Sequence, residues 1–183
     1  MSETPDQVIT RYLEDAIAAE ASFETELGRF AAEGDDDEVQ SAFAAHKDLI
    51  RSQQSRLGRR LEELGGRPSA SKSFFAHVLS LSPRLAQTGH TIEEQTLQNL
   101  IIGFTVAASE CALYEGLATV AHSAGDLSTE RLAREIQAEE QRMAERLWRF
   151  LPSRSKIAFN MLTLDEVDVA IETRAAENRI VSS

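Results

Sequence analysis

The chain has 183 residues, of which 42% are hydrophobic and 27% charged, values typical of a single folded domain. Its formal net charge of -11 disfavours nucleic acid and anionic membranes as partners. The single cysteine, Cys111, excludes an intrachain disulfide and is expected to be a small buried thiol. Residues 1–7 resemble no signal sequence and the longest apolar stretch, 100–108, is too short to span a bilayer, so we expect a cytoplasmic protein.

The first predicted helix follows the Thr-Pro pair at residues 4–5 and ends near residues 33–34. Its apolar residues recur at alternating spacings of four and three, which is the repeat of one helix face. The members of this face are Ile9, Leu13, Ala16, Glu20, Phe23, Leu27 and Phe30. Glu20 is the only charged member, and we therefore expect an inward-facing carboxylate there.

The second predicted helix follows the acidic turn 35–37, whose charge suits a helix N-terminus, and ends in the segment 64–68. Its inner face comprises Val39, Phe43, His46, Ile50, Gln53 and Leu57. The simplest interpretation of His46 is a core histidine with its hydrogen bonds satisfied, and a ligand role is the alternative. The basic stretch 56–60 is predicted to be a solvated helix face beside Glu62 and Glu63.

The third long helix is predicted to begin after Thr91, with Glu94 as its capping-box partner, and to end at Gly125. Before it, the apolar stretch 74–85 predicts a short connecting helix. The third helix has a wide apolar face and carries the stripe Ile102, Val106, Glu110, Leu113 and Leu117. Tyr114 is expected to be a core aromatic with its hydroxyl in water, and a hydrogen bond to a carboxylate is the alternative.

The fourth helix is predicted to begin after residue 128 or 129 and to end at Leu151-Pro152, since proline disfavours a continuing helix. Its inner face comprises Leu132, Ile136, Glu140, Met143, Leu147 and Phe150. Trp148 is expected to pack with its neighbours. Residues 153–183 are predicted to form an extension with one helix, docked on the bundle or on a partner subunit.

The order of these elements predicts an all-α protein, because sustained apolar-polar alternation and hairpin dipeptides are nearly absent. Two helical pairs with short turns, joined by a long connection with its own short helix, match the one-crossover topology of ferritin-like four-helix bundles. We therefore predict a bundle over residues 1–152 and an extension over 153–183. The apolar surface of the third helix and of the extension predicts self-association, most simply as a homodimer.

Three of the four predicted helices place a glutamate on the inner face: Glu20, Glu110 and Glu140. Di-iron and di-manganese bundles place one glutamate on each of two helices and a Glu-x-x-His pair on each of the other two. Such carboxylate and imidazole ligands suit iron and manganese. Glu20 and Glu110 fit the two lone positions, so the sequence predicts a possible metal site at these three glutamates.

The two Glu-x-x-His positions are incomplete. The second helix reads Ile50-Arg51-Ser52-Gln53 and the fourth reads Glu140-Gln141-Arg142-Met143, so both histidines and one glutamate are missing. Gln53, His46 and Glu139 are the weaker candidates to replace them. We expect one weakly held metal or none; alternatively, the glutamates pair with arginines or lie at bundle edges, as structural ion pairs often do. No other catalytic motif is present in the sequence.

Five short motifs occur in this order along the chain: Leu13-Glu14-Asp15-Ala16 with Glu20; Ala42-Phe43 with His46, Gln53 and Leu57; Leu64-Gly65; Glu110 with Tyr114; and Leu132 with Glu139-Glu140. Together they resemble the YciF-like and YciE-like branch of the ferritin-like superfamily, small bacterial proteins associated with stress responses, over roughly residues 12–151. The resemblance implies the fold and a stress-associated role without naming a reaction.

The sequence departs from that branch at two places. An acidic residue and a threonine are expected where the chain has Leu49-Ile50, and an acidic residue and a histidine near Ala107-Ala108. We therefore expect a stress-associated bundle with a degenerate carboxylate site and no established catalysis. An iron- or manganese-dependent oxidoreductase or iron-binding protein is one alternative, and an acidic adaptor with a protein partner at the extension is another.

Overall fold

The computed structural model describes residues 3–67 and 91–181, with side chains described through residue 161 and at residue 163. These residues form four helices: α1 (Pro5–Ala32), α2 (Asp37–Glu63), α3 (Ile92–Ala124) and α4 (Leu127–Val181). The all-α class and the ferritin-like bundle are confirmed. The connecting helix predicted at residues 74–85 lies outside the described residues.

The helices begin where side chains satisfy their first backbone N–H groups. Thr4 and Gln7 form a reciprocal capping box at α1. Asp36 accepts a hydrogen bond from the Val39 N–H at α2, and Thr91 accepts one from the Glu94 N–H at α3. Glycine at 125, with φ of 76°, ends α3 in the left-handed conformation that glycine adopts without steric cost.

The four helices pack as two antiparallel hairpins, α1 on α2 and α3 on α4, which meet through α1 with α3 and α2 with α4. The core has two apolar clusters. One cluster is built on Ile9, Leu13, Leu57, Tyr114, Leu117 and Ile136. The other is built on Phe23, Phe30, Phe43, Ile50, Leu100 and Leu147. The predicted inner faces of α1 and α2 are buried at every position, because apolar residues at this spacing are driven to one side of a helix.

The predicted end of the fourth helix at Leu151-Pro152 is wrong, since α4 continues through Pro152 to Val181. Two side chains soon after Pro152 are held by the bundle. Arg154 forms ion pairs with Asp36 and Glu38, and Ala158 is 2% exposed. These contacts offset the backbone hydrogen bond that proline cannot make. The division of the chain at residue 152 stays a prediction.

Three expectations about side chains hold only in part. Trp148 is 57% exposed and packs against Phe104, with the two ring centroids 5.1 Å apart. Cys111 is half-buried. The stretch 56–60 is not simply solvated, because Arg60 forms an ion pair with Asp126 at the start of α4. Each outcome depends on a neighbouring helix.

By length and composition alone α3 could cross a membrane, with a mean hydropathy of 1.4 in its most apolar window. A core helix of a soluble bundle meets the same criterion. In the bundle α3 contacts α4 along its length and carries the fully buried Glu110. Such a position is typical of a core helix, and the predicted lack of membrane association stays a prediction.

Candidate metal centre

A polar layer separates the two apolar clusters of the core. Its members are Glu20 of α1, His46 and Gln53 of α2, Glu110 of α3 and Glu140 of α4, and each is fully buried. Glu20, Gln53, Glu110 and Glu140 each lie between residues of the two clusters, whereas His46 lies between Phe43 and Ile50 of the second cluster. The layer is closed to bulk solvent, so its polar atoms need partners in the interior.

Glu140 lies at the centre of the hydrogen bonds in this layer. Nε2 of His46 lies 2.8 Å from its Oε2, and Nε2 of Gln53 donates to its Oε1 at 2.8 Å. Both oxygens of Glu140 therefore have partners from α2. A hydrogen on Nε2 makes His46 the donor in this contact, and the Nδ1 atom of His46 has no partner among the described residues.

Glu20 is held by Tyr114, whose hydroxyl donates a hydrogen bond to Oε1 of Glu20. Tyr114 is fully buried, so the expectation of a hydroxyl in water is wrong and the alternative of a carboxylate partner holds. Burial raises the pKa of Tyr114 well above its usual value, and the charges of Glu20 and Glu110 raise it further. The hydroxyl is thus a permanent donor, which fixes the orientation of Glu20.

Glu110 differs from the other two glutamates because neither of its buried oxygens accepts a hydrogen bond from a described residue. Burial raises the pKa of Glu110 well above its usual value, and the charges of Glu20 and Glu140 raise it further. The pKa of Glu20 is raised by burial and then by Glu140. Carboxylates crowded into a dry layer must bind a proton or a cation. A protonated Glu110 is placed to donate to Glu140.

The donor atoms in the layer fit a cation. His46, Glu110 and Glu140 each offer a ligand atom, and these three atoms all lie within 4.8 Å of one another. Two carboxylates and an imidazole are the donor types that iron and manganese accept. The unpartnered Oε2 of Glu20 adds a further carboxylate oxygen to the same layer. The set is compatible with one divalent cation.

Glu139 lies at the rim of the layer, where its side chain is 20% exposed. It accepts a hydrogen bond from Nε2 of Gln53 at 3.2 Å and forms an ion pair with Arg56. Gln53 thus contacts both Glu139 and Glu140 as a donor, while its Oε1 has no partner among the described residues. In this arrangement Gln53 and Glu139 support the layer from outside the three-ligand group.

The structure brings Glu20, Glu110 and Glu140 together with His46 and Gln53, and places Glu139 beside them. A metal-ligand role of His46 stays a prediction. Its spacing of seven residues from Gln53 puts both side chains on one face of α2, two turns apart, and Tyr114 lies one turn after Glu110. These positions are the sequence signals for the contacts with Glu140 and Glu20.

In this bundle α1, α3 and α4 each place a glutamate in one buried layer, and α2 adds a histidine. These features define a ferritin-like bundle with a carboxylate-histidine cluster. Residues 4–159 match the protein family described as "Domain of unknown function (DUF892)". The chain belongs to this family, and the predicted resemblance to the YciF-like branch is confirmed.

Several solved structures share the fold. The Escherichia coli stress protein YciF is 20% identical, with a TM-score of 0.75 over 85% of this chain and 99% of that one. The dodecameric thioferritin from Bacteroides fragilis, a bacterioferritin-related protein, is 18% identical, with a TM-score of 0.65 over 86% and 92%. The Dps protein of Vibrio cholerae O1, described as a member of a broad superfamily of ferritin-like diiron-carboxylate proteins, is 18% identical, with a TM-score of 0.61 over 80% and 91%.

No curated protein sequence matches the chain. At identities of 20% or less the solved structures establish the fold, and function must be argued from the site.

Proposed function

We propose that this chain is a stress-associated ferritin-like protein that holds one divalent cation, iron or manganese, at a degenerate carboxylate site. The observation that carries the proposal is Glu110, whose two buried oxygens have no donor among the described residues and lie beside His46 and Glu140. An ionised carboxylate without a partner in a dry core costs several kcal/mol, roughly, and a cation removes that cost.

One cation is favoured over two by the number of ligands. The side chains whose donor atoms cluster are His46, Glu110 and Glu140, with Glu20 nearby. The second helix has Gln53 where a two-metal site has a histidine, and the fourth has Met143. A second cation would have to share these few donors or rely on water, and mutual repulsion opposes such sharing.

In this proposal some residues of the layer hold the cation and others orient its ligands. His46, Glu110 and Glu140 would hold the cation, Gln53 orients Glu140 through its hydrogen bond, and Tyr114 orients Glu20. Such outer hydrogen bonds fix the position of ligands at metal sites. Bound iron or manganese would supply one-electron redox chemistry, and we propose no catalysed reaction.

The biological setting is proposed from a structural likeness, from the surface and from the composition. The likeness to the Escherichia coli stress protein YciF supports a stress-associated role. Self-association, most simply as a homodimer, is supported by large apolar side chains at the surface, including Ile101 and Phe159, since such surfaces often lie in interfaces. A single cysteine suits the reducing environment of the cytoplasm, which we propose as the location. A protein partner at residues 153–183 stays a prediction.

Elemental analysis tests the proposal, using protein purified without chelator or metal-affinity resin. We expect about one equivalent of iron or manganese per chain, or the uptake of one equivalent when metal-free protein is titrated with Fe(II) or Mn(II). Glu110→Gln should abolish tight binding, because it removes a charged ligand. Glu115→Gln is the matched control, since Glu115 is an exposed glutamate of the same helix.

Two results would contradict the proposal. Wild-type protein that binds neither ion after titration would show that protons neutralise the layer. A Glu110→Gln variant that keeps the wild-type metal content would show that any bound ion lies elsewhere.

A further inference from the structure

A basic cavity of about 370 Å³ lies between the C-terminal half of α2 and the first turns of α4. Its lining includes Arg56, Arg59, Arg60 and Arg131, together with Glu63, Ser128, Leu132 and Glu135. Four guanidinium groups thus line one cavity of a chain whose net charge is -11. We name this group of four arginines the α2–α4 arginine cluster.

Arg60 has a structural role in the cluster. Its guanidinium donates to both carboxylate oxygens of Asp126 at 2.8 and 2.9 Å, to Glu63 at 2.7 Å and to the hydroxyl of Thr129 at 2.8 Å. These bonds join α2 to the start of α4. Because its donors are engaged, Arg60 holds the wall of the cavity in place.

Arg56 is only partly engaged. One of its terminal nitrogens donates to Glu139, and its buried Nε has no partner among the described residues. A guanidinium carries five N–H donors in one plane. Arg56 lines the cavity and keeps N–H donors on its terminal nitrogens beyond the one that binds Glu139.

Arg59 and Arg131 are not balanced by a fixed carboxylate. Neither forms a salt bridge with a described residue, and the Nε of Arg59 donates only to the Ser55 carbonyl of its own helix, at 3.4 Å. Of the two acidic residues in the lining, Glu63 is already paired with Arg60. Asp126 and Glu139 neutralise Arg60 and Arg56 from outside the lining. The guanidinium groups left to bind an anion are therefore those of Arg59 and Arg131, beside Glu135.

The start of α4 borders the cavity through Ser128. The Thr129 N–H at this helix start already donates to the carboxylate of Asp126, so the arginines supply the donors for an anion. Guanidinium groups bind phosphate through paired, charge-assisted hydrogen bonds.

We propose that the α2–α4 arginine cluster binds a phosphate dianion, either free or carried by a small molecule, through Arg59, Arg131 and the unused donors of Arg56. Arg56 is linked to the candidate metal centre through Glu139, which also accepts a hydrogen bond from Gln53. The test therefore uses metal-free protein and substitutes Arg59 and Arg131, which form no hydrogen bond with that layer among the described residues, so that its outcome is distinct from that of the metal proposal.

Isothermal titration calorimetry of the full, chelator-treated chain at low ionic strength is the direct test. The probes are inorganic phosphate and glycerol phosphate, each added in separate titrations. We expect saturable binding of one equivalent that weakens as sodium chloride is raised, because salt screens exposed charges. Tighter binding of glycerol phosphate would identify a phosphate ester as the ligand, and equal or weaker binding would identify free phosphate.

Two variants, one that removes positive charge from the cavity and one that removes negative charge, should change the affinity in opposite directions. The double substitution Arg59→Gln with Arg131→Gln should weaken binding at least about 10-fold. Glu135→Gln should tighten it, because it removes the unpaired negative charge of the lining. The matched control is Arg142→Gln with Arg146→Gln, which makes the same change of charge at exposed positions of α4 outside the cavity and should change affinity less than about 2-fold.

Neither Arg59 nor Arg131 forms a salt bridge with a described residue, so the variants are expected to keep the wild-type melting temperature. The proposal is overturned if the wild-type chain shows no saturable binding at millimolar phosphate. It is equally overturned if the control pair weakens binding as much as the Arg59 and Arg131 pair, since the effect would then be one of overall charge.

Discussion

Nε2 of His46 lies 2.8 Å from Oε2 of Glu140, although 94 positions separate these two residues in the chain. The contact joins α2 to α4 in the interior of the bundle, and both side chains are fully buried. Glu140 also accepts from Gln53, so both of its oxygens have partners. Glu110, in the same layer, has no donor among the described residues. The two glutamates should therefore respond differently to neutralisation.

In metal-free protein, Glu110→Gln should leave the free energy of unfolding unchanged or raise it, because glutamine reproduces the shape and the donor of a protonated carboxyl group. Glu140→Gln should lower it by about 1–3 kcal/mol, since an amide offers one oxygen where two donors now bind separate oxygens. Urea unfolding monitored by circular dichroism measures both. A larger loss for Glu110→Gln than for Glu140→Gln would contradict the hydrogen-bond assignment.

The pH dependence of stability should also reveal Glu110. Its folded pKa is raised above the usual glutamate value of 4.5, chiefly by burial. The folded state therefore binds the proton more tightly than the unfolded state, and the contribution of Glu110 to stability falls as pH rises above that value. The melting temperature of metal-free Glu110→Gln should exceed that of wild type by a margin that widens with pH. If the difference in melting temperature narrows as pH rises, the folded-state pKa of Glu110 is lowered and not raised.

Tyr114→Phe removes the hydroxyl that donates to Glu20 and leaves a buried carboxyl oxygen without its partner. We expect a loss of about 1–3 kcal/mol in the free energy of unfolding. Tyr12→Phe is the control, because Tyr12 packs against the same apolar cluster and its hydroxyl makes no hydrogen bond to a described residue. If both variants lose the same free energy of unfolding, the loss comes from packing and not from the hydrogen bond to Glu20.

Arg154→Gln should destabilise the protein by about 1 kcal/mol, because it removes a bidentate ion pair that is largely shielded from water. Nε and one terminal nitrogen of Arg154 donate to Asp36 at 2.7 and 3.1 Å, and Asp36 also caps α2. The hydrogen bond from Arg154 lowers the pKa of Asp36. This contribution is present at neutral pH and lost as pH falls through the folded pKa. The exposed Arg146→Gln should show neither the loss nor its pH dependence in thermal unfolding.

Removal of residues 153–183 should lower the melting temperature more than removal of residues 163–183. The longer deletion takes away Arg154 and the buried Ala158, while the shorter one keeps both. Light scattering of the two truncated proteins tests whether the segment from residue 163 supports self-association. If the shorter deletion leaves mass and melting temperature unchanged, that segment is dispensable for folding and assembly, and recruitment of a partner remains as its proposed role.

The sequence by itself determined four helices and the inner faces of α1 and α2. The spacing of apolar residues from Ile9 to Phe30 fixes which side of α1 is buried, because that pattern is local and repeats with the turn of the helix. The same register placed Glu20, Glu110 and Glu140 inside, and the cap residues Thr4 and Thr91 marked where two helices begin.

Only the tertiary structure decided which side chains the buried glutamates contact. Whether Glu140 contacts His46, or Tyr114 donates to Glu20, depends on the spacing and rotation of neighbouring helices, which no periodicity along one helix encodes. The continuation of α4 past Pro152 has the same origin. The local penalty of a proline favours an end to the helix, but contacts of Arg154 with the α1–α2 turn hold the next residues in place, and long-range packing outweighs local propensity when the two conflict.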